Sequence, residues 1–411
     1  MRRTIALAIL CVAALRPVAA QELIVGSGGS FKTVSAAVAA ARPGSTIRVR
    51  AGTYREPTVV IRTAGLRLVG EGWPVLDGEG AREIVNIRAD DVTVQGFEFV
   101  NTGIAHMEDR AALRVVEAAR CTVADNRFRQ TLFAIYLQRA QDCTIRNNDI
   151  VGAGGGESNN GNGVHLWHST GIRVIGNSIT GQRDGIYFEF SRGAVAERNR
   201  SEANARYGLH FMFSDSCTYA DNAFVANGAG VAVMYSKGIT MHRNEFREAV
   251  GSAAYALLLK EITDGALVDN KFIGSSTGLY LEGASRLEIR GNEFRANGWA
   301  VRLMADALDN RFTGNQFIGN AFDVATNSRI VRSTFDGNWW DAYSGYDLDR
   351  DGRGDVPFRP VRFFALVVER HPEALLMLRS PVTTVLDAAE RVFPVLTPPL
   401  ADDRPLMRPP Q

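Results

Sequence analysis

The stretch Gly208-Leu209-His210-Phe211-Met212, followed by Asn222-Ala223-Phe224 and then by Gly230-Val231-Ala232-Val233-Met234 and Asn244-Glu245-Phe246, decides the fold. The same two motifs return after 22 residues, and they return along most of the chain. Asn-x-apolar stands at Asn126, Asn148, Asn177, Asn222, Asn244, Asn270, Asn292 and Asn315, with a weaker copy at Asn199-Arg200-Ser201. Successive spacings are 22, 29, 22, 23, 22, 26, 22 and 23, a fixed period with occasional insertions, which is the mark of a solenoid. About 15 residues before each Asn runs a short alternation such as Ala134-Ile135-Tyr136-Leu137 or Gly278-Leu279-Tyr280-Leu281. Alternation with period two means strands with one buried face. Two or three strands per 22 residues with no helix between them predict an all-β, right-handed parallel β-helix. Leucine-rich repeats of similar period need a helical segment that this chain lacks. The recurring Asn is expected to tolerate a left-handed bend and to stack as an amide ladder.

Around this core the chain divides into three parts. Residues 1–20 start Met1-Arg2-Arg3, run apolar from Ile5 to Leu15, and end in Val18-Ala19-Ala20, the pattern of a secretory signal peptide. Residues 21–358 form the β-helix, with the repeats clearest over 121–335, irregular coils from Thr46 through Phe99, and a covering helix over Val34 to Ala41 capped by Ser30 or Thr33. Residues 359–411 form a tail with helices over Phe363 to Leu378, interrupted by Pro372, and over Val382 to Val392. Lys and Arg number 46 against 45 Asp and Glu, so the basic footprint of a nucleic-acid binder is absent. A soluble, periplasmic protein is expected. Cys121, Cys143 and Cys217 share the repeat position held elsewhere by Ile172, Ile239 and Leu287, which predicts small buried thiols. A Cys121–Cys143 bond between adjacent coils is the alternative in an oxidising compartment.

In each long strand the residues between the apolar ones point outward. One outward column reads Tyr136, His165, Tyr187, His210, Ala232; the next reads Gln138, Trp167, Glu189, Met212, Met234. Coils stack about 4.8 Å apart and same-face neighbours on a strand lie about 6.7 Å apart, so His210, Met212 and Met234 can converge on one ion. His165 is roughly 9.6 Å from His210 and does not join them. An exposed imidazole with two exposed thioethers is a soft set that suits Cu(I). Two other readings stay open: the methionines pack beneath Phe213, Tyr235 and Trp167, or they form a partner interface. Asp347-x-Asp349-x-Asp351-Gly352-x-Gly354-Asp355 spaces carboxylates as a calcium loop does, though Phe358 stands where an EF-hand needs Glu. A solvated acidic turn is the other reading of it.

Several segments together resemble the NosD family, the periplasmic maturation proteins of nitrous oxide reductase. They are Gly208–Ser214, Gly230–Ser236, Tyr255–Glu261, Asn297–Ala300, Asn338–Asp349, Leu386–Arg391 and Asp403–Met407. The resemblance implies no enzyme activity of this chain's own. It implies a role beside the membrane subunit and ATPase of an ABC transporter, with a copper chaperone lipoprotein and the apo nitrous oxide reductase as further partners. His210, Met212 and Met234 would then hold copper transiently, while the calcium candidate at Asp347, Asp349, Asp351 and Asp355 rests on their spacing. Partner contacts are expected at Trp167, Phe363, Phe364, Leu386, Leu406 and Met407. The rival class is a secreted carbohydrate-binding or carbohydrate-modifying β-helix, for which Glu189 with His210 and Tyr187 is the best proton-transfer group.

Overall fold

The computed structural model describes residues 21–410 except 106–107, 155–156, 252–253, 379 and 393–396, so the signal-peptide reading of 1–20 falls outside the described residues. The chain is a right-handed parallel β-helix whose three sheets hold 14, 12 and 13 strands among the described residues. Each sheet takes every third strand of the long array, and every pairing is parallel, as in Phe188↔Phe211 and Phe211↔Val233. Stacking in register repeats each inward residue over its equivalent one coil away. Phe224, Phe246, Phe272, Phe294, Phe317 and Trp340 thus form one column of rings, with centroids 5.4, 4.8, 4.8, 5.0 and 4.0 Å apart.

The amide ladder forms as expected, but the bend belongs to a different residue. Asn222 Oδ1 accepts from the backbone and side-chain nitrogens of Asn199 at 2.9 and 3.0 Å, and its own amide donates to Ala196 O and Asn244 Oδ1 at 2.9 Å each. The left-handed backbone lies one residue earlier, at Asp221, Arg243 and Asp269, with φ of 55°, 53° and 55°. The Asn is freed to aim inward because its predecessor has made the turn. The next corners carry a second ladder, in which Gln182 N donates to Asn204 Oδ1 and Asn204 N to Asn227 Oδ1, and a hydroxyl ladder of Ser191, Ser214 and Ser236.

Residues 46–99 are more regular than expected: their strands enter the same three sheets in the same order as the rest, beginning with Glu22–Val25 against Thr46–Arg50. Helix α1 (Val34–Ala40) covers the first coil. Thr33 caps it by accepting from Ala36 N, and Glu56 accepts from the backbone of Val34 and Ser35. Cys121, Cys143 and Cys217 are buried free thiols, so the disulfide alternative is not realised.

Beyond the last coil the chain does two things. Helix α2 (Phe363–Arg370), a 3₁₀ turn over Pro372–Met377 and helix α3 (Pro381–Val392) lie at the end of the long-strand sheet, where Phe364, Ala365 and Val368 pack against Phe322. Arg302 of the solenoid and Glu369 of α2 form an ion pair. Residues 400–407 then return to the open end. Asp402, fully buried, accepts from Gly337 N, Asn338 N, Asn338 Nδ2 and Trp340 Nε1, taking the place of the next Asn in the ladder. Among the described residues no helix is long and apolar enough to cross a membrane.

Candidate functional site

The long-strand sheet turns its outer face to a set of side chains that its bends determine. In the strand Tyr207–Met212 the register pairs Tyr207 with Asp184 and Leu209 with Ile186, passing over Gly208. A Cβ on Gly208 would stand 2.7 Å from the Asn227 amide and 2.8 Å from the Gly230 carbonyl, so the kink requires glycine. The kink places Tyr207 and His210, three residues apart, on one outer face with ring centroids 4.8 Å apart.

Three outward columns result, and the middle one is not exposed as its sequence position suggests. Tyr136, His165, Tyr187 and His210 stack with centroids 4.4, 4.8 and 4.7 Å apart, leaving His165 and His210 only 6% and 5% accessible. A coil pitch near ring thickness lets each aromatic cover its neighbour, and the Asp184–Tyr207 column covers the flank. His210 keeps both ring nitrogens without a hydrogen-bond partner among the described residues, and its Nδ1 lies 3.8 Å from Asp184 Oδ2. Asp184 is clamped by Arg206, Nε to Oδ1 at 2.8 Å. Burial would raise its carboxyl, but the hydrogen bonds from Arg206, with the nearby charges of Arg206 and His210, outweigh this and hold it at about 2. His165 Nε2 is 3.8 Å from Glu189 Oε2; burial pushes this imidazole down, and the contact with His165 pulls Glu189 down as well.

Met212 and Met234 pair directly across adjacent strands and are half-buried rather than exposed. His210 stands two residues before Met212 on the same strand, and Met234 is the register partner of Met212 one coil on. The Tyr187 hydroxyl donates to the Met212 sulfur at 3.5 Å. Trp167, two coils away in the same column, is half-buried, edge-on to His168 with centroids 4.3 Å apart and under Arg139.

Beside the methionine column runs a ridge that the repeats signalled with one aromatic per coil and that period-two reading passed over. His168, Phe190, Phe213 and Tyr235 stack at 4.7, 5.2 and 5.0 Å. All four have φ near +50°, where a bulky side chain is costly. Phe190, Phe213 and Tyr235 nevertheless stand 42–43% exposed. Their faces are taken up by each other, so the ridge presents ring edges outward.

The other expected site residues divide. Asp347, Asp349 and Asp351 bring carboxylate oxygens within 4.8 Å of one another. Asp355 does not join them, because its Oδ2 accepts from Leu348 N at 2.6 Å. Phe364, expected at a partner contact, is buried against Phe322 instead. Leu406 and Met407 are tied down by hydrogen bonds from their backbone nitrogens to Asn338 O and Gly352 O. Phe363 is half-buried, and Leu386 is exposed, as are the apolar Leu376, Met377, Val382 and Val385 of the same tail.

Comparison with known proteins places this geometry. Residues 150–345, the span that holds His210, Met212, Met234 and the ridge, match the family model described as periplasmic copper-binding protein (NosD). The chain is 30% identical over 383 residues to a probable ABC transporter binding protein NosD of Stutzerimonas stutzeri, covering 88% of this chain and 86% of that one. It is 32% identical over 380 residues to the protein of the same description in Pseudomonas aeruginosa, covering 88% and 87%. Among solved structures, the catalytic unit of an α-1,3-glucanase from Streptomyces thermodiastaticus superposes with TM-score 0.59 at 15% identity, over 82% of this chain and 70% of that one. XylC in complex with xylose superposes with TM-score 0.58 at 12% identity, over 81% and 88%. Both share the fold. Sequence identity along nearly the whole length of two relatives, together with the matched repeats, shows that the chain belongs to the NosD family.

Proposed function

We propose that this chain is the periplasmic accessory protein of an ABC transporter that assembles the copper–sulfur centre of nitrous oxide reductase, and that His210, Met212 and Met234 hold Cu(I) in transit. The observation that carries the reading is the register pair Met212↔Met234, half-buried, with an imidazole on the same face that has no hydrogen-bond partner among the described residues. Thioether and imidazole donors suit Cu(I) and offer little to hard cations. The ridge of ring edges alongside supports a docking role. Methionine sulfur often sits at a ring edge, so a partner surface that presents thioethers, on a copper chaperone lipoprotein or the apo-reductase, would find complementary chemistry there. The exposed apolar side chains of Leu376, Met377, Val382, Val385 and Leu386 support docking to the transporter's membrane subunit, whose ATPase would drive the exchange of partners. Asp347, Asp349 and Asp351 would hold a hard cation such as calcium at the closed end.

The test is an anaerobic Cu(I) titration against a chromogenic chelator. His210→Ala, Met212→Ala and Met234→Ala should each weaken binding, with Met212→Ala and Met234→Ala together weakening it most. Unchanged affinity in all of them would remove these ligands. For the carbohydrate reading, the solved structures contribute the β-helix scaffold and nothing beyond it.

A further inference from the structure

We propose that Tyr187 holds the copper affinity of this face down by keeping its hydroxyl hydrogen on the Met212 sulfur. The inference rests on the copper reading of Met212 and adds a residue that sets how tightly the ion is held. Three observations carry it. The phenol oxygen is 3.5 Å from Met212 Sδ, a hydrogen bond that occupies one of the two sulfur lone pairs and competes with a soft cation for electron density there. The Tyr187 ring is fixed between His165 and His210, with centroids 4.8 and 4.7 Å away, so the hydroxyl is held there by packing. Met234, the register partner one coil on, has no such donor among the described residues. The two thioethers are chemically the same but unequal in readiness: Met234 presents both sulfur lone pairs, whereas one of the two on Met212 is engaged by the Tyr187 hydroxyl.

Copper entry at Met212 is then an exchange of partners. The O–H···S hydrogen bond breaks and a Cu–S bond forms. The proton stays on Tyr187, whose ionisation burial and the nearby Glu189 and Asp184 oppose, and Cu(I) is neither oxidised nor reduced. The displaced hydroxyl has an acceptor at hand, since Glu189 follows two residues later on the same face and pairs across the sheet with Met212. A site that must surrender its ion gains from such a competitor. Without it, two thioethers and an imidazole would retain copper too long for transfer.

Tyr187→Phe is the direct test, because phenylalanine keeps the ring stack and removes only the hydroxyl. Cu(I) competition with a chromogenic chelator should show Tyr187→Phe binding about fivefold more tightly than the parent chain, the worth of one released hydrogen bond. In a Met212→Ala background the same substitution should have no effect, which confines the gain to that sulfur. Equal or weaker binding by Tyr187→Phe, where Met212→Ala still weakens binding, overturns this inference and leaves the copper reading standing. Unchanged binding in Met212→Ala, Met234→Ala and His210→Ala overturns both. A second measurement needs no deletion: 3-fluorotyrosine at position 187 should shift its ¹⁹F resonance as Cu(I) saturates the site. A resonance that stays put through saturation contradicts the exchange.

Discussion

Asn222 shows what a single side chain does in a solenoid. Its amide makes four hydrogen bonds to the coils on either side, all buried. Asn222→Ala strands the Asn199 N–H and the Ala196 carbonyl without solvent, and should cost about 3 kcal/mol in chemical denaturation. That Asn forms a ladder could be read from its spacing. That the preceding residue makes the turn could not, because Asp221, Arg243 and Gly291 share the position and no single residue type marks it. Asp323 is a residue whose state only the folded molecule determines. Burial pushes its carboxyl up to about 6, with Arg362 opposing. Between pH 4 and 6 the native chain therefore binds more protons than the unfolded one, and stability falls as pH rises through that window. Asp323→Asn should stabilise the chain by about 1–3 kcal/mol at pH 7.5 and by almost nothing at pH 4, read from thermal melts at both.

At the scale of elements, alternation within a strand separated inside from outside correctly: Leu209 and Phe211 lie in the core and His210 and Met212 outside it. It misjudged exposure, since burial of His210 comes from Tyr187 and Tyr207, contributed by neighbouring coils and by the Gly208 kink. The ridge of Phe190, Phe213 and Tyr235 was hidden for the same reason, its residues lying at the bend where no strand periodicity runs. Because these rings are exposed and their backbone is strained, Phe213→Ala with Tyr235→Ala should move Tm by no more than a few degrees. The pair should still abolish capture of the copper chaperone in a pull-down with purified partners. Retained capture would remove the ridge from the docking account. In the acidic loop, calcium should raise Tm in the parent chain and not in Asp349→Asn, following the mass-action stabilisation of a bound ligand.

At the scale of the molecule, the tail is where sequence reading and structure differ most. Composition marks residues 359–411 as one docking tail, yet the chain uses Phe364 to fasten a helix to the solenoid and Asp402 to close its end. Closure depends on a contact about 64 residues distant in sequence, which no local pattern announces. Asp402→Ala opens the last Asn of the ladder and bares the edges of the final coil, so the variant should self-associate in size-exclusion chromatography where the parent does not. Among the apolar side chains of the tail that stay exposed are Leu376, at 94%, and Val382, Val385 and Leu386 on α3. The most direct test of the maturation role is to delete this chain from a host that makes nitrous oxide reductase, purify the reductase, and assay its copper, its sulfide-bridged centre and its activity. The account predicts an exported, folded reductase that lacks the copper–sulfur centre. A fully loaded, active reductase would contradict it and return the carbohydrate reading to first place.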